Sequence, residues 1–294
     1  MTEINQKLEA GVVLDHYVVN GFLGSGGFSN VYRAQSMLDE DCVVIKEYMP
    51  RKMTVRAENG NIQIRNEKKD SFERGKQLFL LEAKILADMK HENIVEALSC
   101  FHANNTVYLV MRYERGENLG AYVRKHGHLS EKFVDTVFPL VIQALSEVHH
   151  KGVLHLDIKP ENIHIRPGGR PIILDFGAVH LFKKEQTAFY GRVLSKGFSA
   201  IEQYQKGSHL GPWSDVYALG ATMRYCIDGK HIPDAKKRAV SDNVKPLMEM
   251  SSIKKKYRHA LLEAIDWAIT VDPAKRPQTA EDLLTAMKCG LHSG

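Results

Sequence analysis

The spacing of the hydrophobic residues changes part-way along this chain of 294 residues. The first third carries short β-branched and aromatic segments separated by glycine or acidic turns, a pattern typical of a meandering antiparallel sheet. Beyond Gly116 the apolar residues recur at helical spacing over long stretches. Strands followed by helices predict an α+β fold with two lobes: a small antiparallel β-rich lobe with one helix over 10–112, and a larger, mainly helical lobe over 113–294.

The same pattern predicts the individual elements. Strands are expected over 17–22, 29–34, 42–47, 94–101 and 106–113. Helices are expected over 71–89, 131–151, 215–228, 257–270 and 279–287. The residue types near the helix starts predict N-caps at Asn118, Ser130, Ser214 and Thr279. Within 54–65, Asn59-Gly60 separates two alternating runs and predicts an extra hairpin with a two-residue turn.

Charge and cysteine content exclude several function classes. The net charge of +5 is modest, and basic residues are interspersed with acidic ones, which disfavours a dedicated nucleic-acid binder. The four cysteines form no CxxC pair, so reduced thiols are expected rather than a zinc site or a disulfide framework. No stretch approaches the ~20 apolar residues of a membrane helix. We therefore expect a cytoplasmic protein, with secretion, delivery into a host or anchoring of a longer parent as the alternatives.

A glycine-rich segment lies between the first two predicted strands. Its residues are Gly24, Ser25, Gly26, Gly27, Phe28 and Ser29. Glycine allows the backbone to approach a polyphosphate and to turn its N–H groups toward the oxygens. A glycine-rich hairpin turn without a ligand is the alternative. A Rossmann site is disfavoured because no helix follows.

Two charged residues stand in apolar surroundings. Lys46 ends the apolar run 43–46, where a buried ammonium needs an anionic partner. Glu82 lies at the margin of the apolar face of the helix predicted over 71–89 and offers such a partner. A snorkelling lysine and a solvated glutamate are the alternatives.

The most informative run is His155-Leu156-Asp157-Ile158-Lys159-Pro160-Glu161-Asn162. It packs a carboxylate, a lysine, a proline-stiffened turn and an amide oxygen into eight residues, which favours a loop that faces a ligand. Asp175 then follows the apolar run 172–174 and precedes Phe-Gly. An aspartate at a strand end suits a hard cation, and a turn aspartate is the alternative.

Together these motifs resemble the signature set of the protein kinases, in the same order and over about 17–287. The later members are Ala200-Ile201-Glu202, the run 215–220 and Arg276. The run Lys46-Glu47-Tyr48-Met49-Pro50 is similar to that of the eukaryotic-like serine/threonine kinases of bacteria. The resemblance implies a single protein kinase domain over 1–294. It also implies transfer of the γ-phosphate of Mg-ATP to serine or threonine hydroxyls of protein substrates, including the chain itself.

The resemblance assigns roles to the matching residues. Asp157 is expected to be the catalytic base and Lys159 to steady the γ-phosphate, while Ser195 contacts both. Lys46 is expected to hold the α- and β-phosphates and to pair with Glu82. Magnesium, with manganese as the alternative, is expected on Asn162 and Asp175, and Glu202 is expected to form a buried ion pair with Arg276.

The resemblance also outlines a nucleotide site. The glycine-rich segment is expected over the phosphates, with Met111 as gatekeeper and the backbone of Arg112, Tyr113 and Glu114 against the adenine. The expected apolar floor is Val31, Val44 and His164. The carboxylates at 157 and 175, the amide at 162 and the ammonium at 46 are expected to converge on one triphosphate.

Several positions depart from the family pattern. Leu156 replaces an arginine that in many relatives pairs with a phosphorylated activation loop, so we expect activity without such phosphorylation, although Thr187 and Tyr190 are present. About thirty-five residues separate Lys46 from Glu82, more than is usual. The hairpin in this insertion is either a docking or regulatory surface or padding. A nucleotide-binding pseudokinase and a small-molecule kinase are the competing functions.

Overall fold

The computed structural model describes residues 6–65, 67–177, 180–181, 194–205 and 207–290. Thr187 and Tyr190, whose phosphorylation is expected to be unnecessary for activity, lie outside these residues. The chain forms two compact units. The first comprises the described parts of Met1–Lys90 and Val95–Glu114, and the second those of His91–Ile94 and Arg115–Gly294.

The first unit is built on an antiparallel sheet. Its elements in chain order are β1 (Val13–Leu14), β2 (Tyr17–Ser25), β3 (Ser29–Ser36), β4 (Cys42–Tyr48), β5 (Thr54–Arg56), β6 (Ile62–Ile64), α1 (Lys69–Ala87), β7 (Ala97–Ala103) and β8 (Thr106–Arg112). Among the described residues the main sheet has six strands in the order β1-β2-β3-β4-β8-β7. One face of the sheet buries an apolar cluster that includes Leu8, Val19 and Ile45.

The extra hairpin is present as β5 and β6, but the predicted two-residue turn is wrong. The strands pair from Thr54 with Ile64 to Arg56 with Ile62, so five residues form the loop. Of the Asn59-Gly60 pair, only Gly60 has a positive φ, of 83°. The Asn59 side chain instead accepts a hydrogen bond from the Asn61 amide at 3.1 Å, which stabilises the wider loop.

The second unit is mainly helical. Its elements are β9 (Glu117–Asn118), α2 (Leu119–His126), α3 (Glu131–His150), β10 (Val153–Leu154), β11 (Ile163–Ile165), β12 (Pro171–Ile173), β13 (His180–Leu181), α4 (Pro212–Asp228), α5 (Ala235–Val240), α6 (Ser251–Lys254), α7 (His259–Ala268) and α8 (Ala280–Cys289). The large buried face of α3 and the almost wholly buried α4 supply much of its core. These elements confirm the predicted α+β fold.

Three of the four predicted helix caps are confirmed. Asn118, Ser130 and Thr279 each accept a hydrogen bond from a backbone amide in the first turn of α2, α3 and α8, respectively. Ser214 is not a cap, because α4 begins earlier, at Pro212. Proline is favourable at the first position of a helix, where its missing N–H is not needed.

The segment His91–Ile94 joins the second unit although it precedes β7 in the chain. The Asn93 side chain donates to the Pro171 carbonyl at 2.8 Å, and the Ile173 amide donates to the Asn93 carbonyl at 2.9 Å. Ile94 forms a parallel bridge with Ile173. The strand predicted over 94–101 therefore begins only at Ala97.

The expected buried ion pair between Glu202 and Arg276 is confirmed. The Arg276 guanidinium donates to both Glu202 carboxylate oxygens at 3.1 Å, and the two residues are 2% and 3% exposed. Burial lowers the pKa of Arg276, and the Glu202 carboxylate opposes that shift. The pair joins the segment after Ala200 to the loop before α8.

None of the described helices is both long enough and apolar enough to cross a membrane.

Replacing Arg276 by methionine should lower the free energy of unfolding by about 3–5 kcal/mol, because Glu202 would stay buried without its cation. Urea denaturation followed by circular dichroism measures this loss. The matched control is Arg258→Met, which breaks an ion pair with Glu131 whose side chains are 45% and 26% exposed. It should cost less than about 1 kcal/mol. Equal losses in the two variants would contradict the prediction.

Candidate active site

Lys46 and Glu82 form a buried ion pair in the first unit. The Lys46 Nζ lies 2.7 Å from Glu82 Oε1, and the two residues are 6% and 3% exposed. Lys46 projects from β4 and Glu82 from α1. A snorkelling lysine and a solvated glutamate are thus excluded, because both charges are withdrawn from water and compensate each other.

The register of the sheet puts several predicted nucleotide contacts on the same face as Lys46. Val31 lies directly opposite Lys46, and Met111 lies directly opposite Val44. Directly opposed residues share a face, as do residues two apart on one strand. Val31, Val44 and Met111 therefore lie on the Lys46 face of the sheet.

The glycine-rich segment comprises the end of β2, the turn formed by residues 26–28 and the start of β3. The Gly26 amide donates to the Ser29 carbonyl at 2.8 Å, and Phe28 is 45% exposed. A Cβ atom at Gly24 or Gly27 would meet no described heavy atom within 4 Å, and neither residue has a positive φ. Local packing and backbone geometry therefore do not explain the glycines at these positions.

Strand β8 ends at Arg112, and Tyr113 and Glu114 follow it. The Arg112 amide already donates to the Glu96 carbonyl at 3.0 Å, and its guanidinium pairs with the Glu96 carboxylate at 2.7 Å. The Arg33 guanidinium lies 5.3 Å from the centre of the Tyr113 ring. Because β8 ends at Arg112, the backbone beyond it leaves the sheet.

His164 belongs to the second unit, on β11 opposite Ile172.

Asp157 is the centre of a hydrogen-bonded cluster in the second unit. Its Oδ2 accepts from Lys159 Nζ at 2.6 Å and from Asn162 Nδ2 at 3.0 Å. Its Oδ1 accepts from Ser195 Oγ at 2.6 Å, and Lys159 Nζ also donates to that hydroxyl at 3.1 Å. The structure thus brings together the predicted base, lysine, amide and serine.

Asn162 and Asp175 come from adjacent positions of a β-hairpin. Ile163 on β11 pairs with Ile173 on β12, and the Leu174 amide donates to the Asn162 carbonyl at 3.0 Å. Asp175 follows directly, and its Oδ1 accepts from the Gly177 amide at 3.0 Å. The carboxylate therefore stands one residue beyond the end of this pairing.

Asp215 has a role that the sequence motif did not reveal. Its buried carboxylate accepts from the His155 amide at 2.8 Å and the Leu156 amide at 2.6 Å, and it lies 2.9 Å from His149 Nε2. Burial opposes ionisation, but these contacts hold the pKa of Asp215 below its ordinary value. Leu156 has a positive φ of 61°, unusual for a residue with a side chain. The carboxylate stabilises this backbone turn immediately before Asp157.

The side chain of Leu156 lies in an apolar environment. It belongs to a buried cluster with Leu154 and Leu210. The Leu156 carbonyl also accepts from Gln203 Nε2 at 2.9 Å. Apolar packing and the side-chain amide of Gln203 thus hold Leu156 in place.

Comparison with known protein families assigns the chain to a family. The family model described as "Protein kinase domain" matches residues 17–287. This chain belongs to the protein kinase family. The motifs singled out in the sequence identified it correctly.

Individual relatives agree with this assignment. The kinase domain is 31% identical to "Serine/threonine-protein kinase D" of Synechocystis sp., over 96% of this chain and 54% of that protein. It is 26% identical to "Serine/threonine-protein kinase PrkC" of Bacillus subtilis, over 92% of this chain and 40% of that protein. The chain spans about half the length, or less, of these curated relatives.

A solved structure supports the fold. The structure described as "PpkA-294 apo form" superposes with a TM-score of 0.83 at 30% identity, covering 96% of this chain and all of that one. The kinase domain therefore has the protein-kinase fold over nearly its whole length.

Asp215→Asn should loosen the backbone before Asp157, because an amide side chain cannot reproduce a carboxylate that accepts from two amides and a histidine. Hydrogen exchange at the amides of His155 and Leu156 should accelerate by about tenfold or more relative to the Phe133 amide. The Phe133 amide is bonded to Ser130 and serves as the internal reference. Unchanged relative exchange rates would show that Asp215 does not hold this turn.

Proposed function

We propose that this kinase domain transfers the γ-phosphate of ATP to serine and threonine hydroxyls of proteins, including its own. The observation that carries the proposal is the position of Asp157. In the described part of the chain, its Oδ1 accepts a single hydrogen bond, from the Ser195 hydroxyl at 2.6 Å. A carboxylate oxygen accepts about two such bonds, so a substrate hydroxyl can bond to the same oxygen.

Asp157 would act as the base that orients the hydroxyl and receives its proton. Lys159 bonds to the other carboxylate oxygen and supplies a positive charge beside the acceptor, where it would steady the γ-phosphate. Ser195 bonds to both groups and fixes their relative position. The names of the relatives as serine/threonine kinases support the choice of hydroxyl.

Asn162 and Asp175 fit a magnesium site. They offer an amide oxygen and a carboxylate oxygen, both hard donors, from neighbouring positions of the β11–β12 hairpin. The described residues contain no group of three or more His, Cys, Asp or Glu side chains able to hold a metal by themselves. Magnesium commonly binds through one or two protein ligands plus phosphates and water. The ion, with manganese as the alternative, would neutralise charge on the phosphates.

The first unit would bind the rest of the nucleotide. Lys46, held by Glu82, would contact the α- and β-phosphates, and the backbone of 24–29 would cover them. The open space around Gly24 and Gly27 supports a close approach by a ligand. Val31 and Val44 would contact the adenine ring, with Met111 as gatekeeper and the backbone of 112–114 binding the base edge.

The thiols support a reducing location. Among the described residues, Cys42, Cys100 and Cys226 form no disulfide. Unpaired thiols are usual in the cytoplasm, where we place this domain.

Asp157→Asn should lower the turnover number by about 10²–10⁴-fold, because an amide cannot accept the hydroxyl proton. ATP affinity should change little, since Asp157 is not among the residues assigned to the nucleotide. Steady-state kinetics with a generic protein substrate and calorimetric ATP titration measure the two quantities. The control is Asp135→Asn on α3, which removes an exposed carboxylate bonded to Arg258. Turnover retained in Asp157→Asn would refute the assigned base.

Activity should not require phosphorylation at 187 or 190, because Leu156 packs against Leu154 and Leu210 and offers no cation to a phosphate. The double variant Thr187→Ala, Tyr190→Phe should keep a turnover number within about twofold of the parent, as expected for changes outside the reacting groups. The comparison uses phosphatase-treated parent protein. Loss of turnover in either sample would contradict the prediction.

A further inference from the structure

Glu47, the residue after Lys46, is the centre of a second buried polar network. The residue is fully buried, and its side chain points to the sheet face opposite Lys46, because successive residues of a strand alternate. Oε1 accepts from Tyr108 Oη at 2.7 Å. Oε2 accepts from Tyr32 Oη at 3.0 Å, Asn30 Nδ2 at 3.2 Å and Arg56 Nη2 at 2.5 Å.

The cation that pairs with Glu47 comes from the inserted hairpin. Arg56 ends β5, is 5% exposed, and also donates from Nη1 to the Gly60 carbonyl at 2.9 Å. One guanidinium therefore joins the hairpin loop to the core of the sheet. A buried carboxylate is strongly unfavourable without such a partner. The insertion is thus not detachable padding, since its removal would leave the Glu47 charge uncompensated.

The neutral donors of the network stay protonated at physiological pH. Burial and the Glu47 charge raise the pKa of Tyr32 to about 12. The same two causes raise the pKa of Tyr108. Tyr32 Oη also accepts from the Leu8 amide at 3.1 Å, and Asn30 Nδ2 donates to the Gln6 carbonyl at 3.0 Å. The segment before β1 is therefore joined to the same carboxylate.

The other face of β4 is held by α1 at the two flanking residues. Lys46 pairs with Glu82, as described above, and Tyr48 Oη donates to the Phe72 carbonyl at 3.1 Å. The Tyr48 ring also packs against Phe72 and Phe79, with centroid distances of 5.1 and 5.7 Å. Three successive residues of β4 are thus fixed alternately by α1 and by the Glu47 network.

We propose that Glu47 and Arg56 are positioning residues for phosphoryl transfer: they hold β4 so that Lys46 meets the ATP phosphates, and the inserted hairpin is part of that support. The inference rests on the nucleotide role proposed for Lys46. Lys46 can keep its pairing with Glu82 and still miss the phosphates if β4 shifts. A misplacement of about 1 Å by a change remote from the chemistry can cost on the order of 10²-fold in rate.

The test compares Arg56→Met, Arg56→Lys and Tyr108→Phe with the parent. For each protein we would measure the KM for ATP, the turnover number, the dissociation constant of ATP by calorimetry and the melting temperature. The control is Leu14→Ala, which thins the apolar cluster on the same face of the sheet but removes no polar group of the network. It should lower the melting temperature and leave the KM for ATP unchanged.

Arg56→Met should raise the KM and the dissociation constant for ATP by about tenfold or more, because β4 loses its anchor to the hairpin. Arg56→Lys keeps the charge and should recover part of the loss. Tyr108→Phe removes a single donor and should raise both constants by about threefold to fivefold. This milder variant keeps the test decisive if Arg56→Met does not fold.

The outcomes separate this inference from the proposed function. Absence of phosphate transfer in the parent would overturn the proposed function, while the ATP dissociation constants would still test the role of Glu47 and Arg56. Folded variants that bind ATP as tightly as the parent, with lower melting temperatures alone, would overturn the positioning role. Weaker ATP binding in Arg56→Met and Tyr108→Phe, together with normal binding in Leu14→Ala, would support it.

Discussion

The proposed catalytic arrangement of this kinase domain depends on one buried carboxylate. Asp215, at the start of α4, holds the amides of His155 and Leu156 and thereby supports a left-handed backbone conformation at Leu156. Such a conformation costs on the order of 1–3 kcal/mol in a residue with a Cβ atom and persists only where the surroundings enforce it. Loss of that support would relax the backbone that sets the angle of Asp157 to Lys159 and Ser195.

The same physical rule recurs wherever this chain buries a charge. Glu82 is compensated by Lys46, Glu47 by Arg56 and Glu202 by Arg276. Each pair joins segments that are distant in sequence: β4 with α1, β4 with the inserted hairpin, and the segment after Ala200 with the loop before α8. A buried pair contributes little net stability but strongly disfavours arrangements in which one charge is left alone. These pairs therefore act chiefly to specify position, which is what phosphoryl transfer requires of its enzyme.

Much of the fold and of the candidate site follows from sequence patterns. Hydrophobic periodicity located the main strands and helices, and the motifs around Lys46, Asp157 and Asp175 identified the family. Two features were not predicted: one depends on local side-chain contacts and the other on contacts distant in sequence. The loop of the inserted hairpin is five residues long because an asparagine side chain and Arg56 hold it. His91–Ile94 joins the second unit through pairing with β12.

Other features could not be predicted because one residue type occurs in several structural environments. A serine near a helix start reads as a cap, yet Ser214 lies inside α4 and donates to Glu202 at 2.8 Å. No sequence pattern indicates that Glu47 is buried, because its cationic partner Arg56 comes from the inserted hairpin. The most direct test of the whole account is incubation of the chain with magnesium and ATP labelled at the γ-phosphate, followed by mapping of modified residues. The account predicts label on serine and threonine side chains; nucleotide binding without any transfer of label would contradict it.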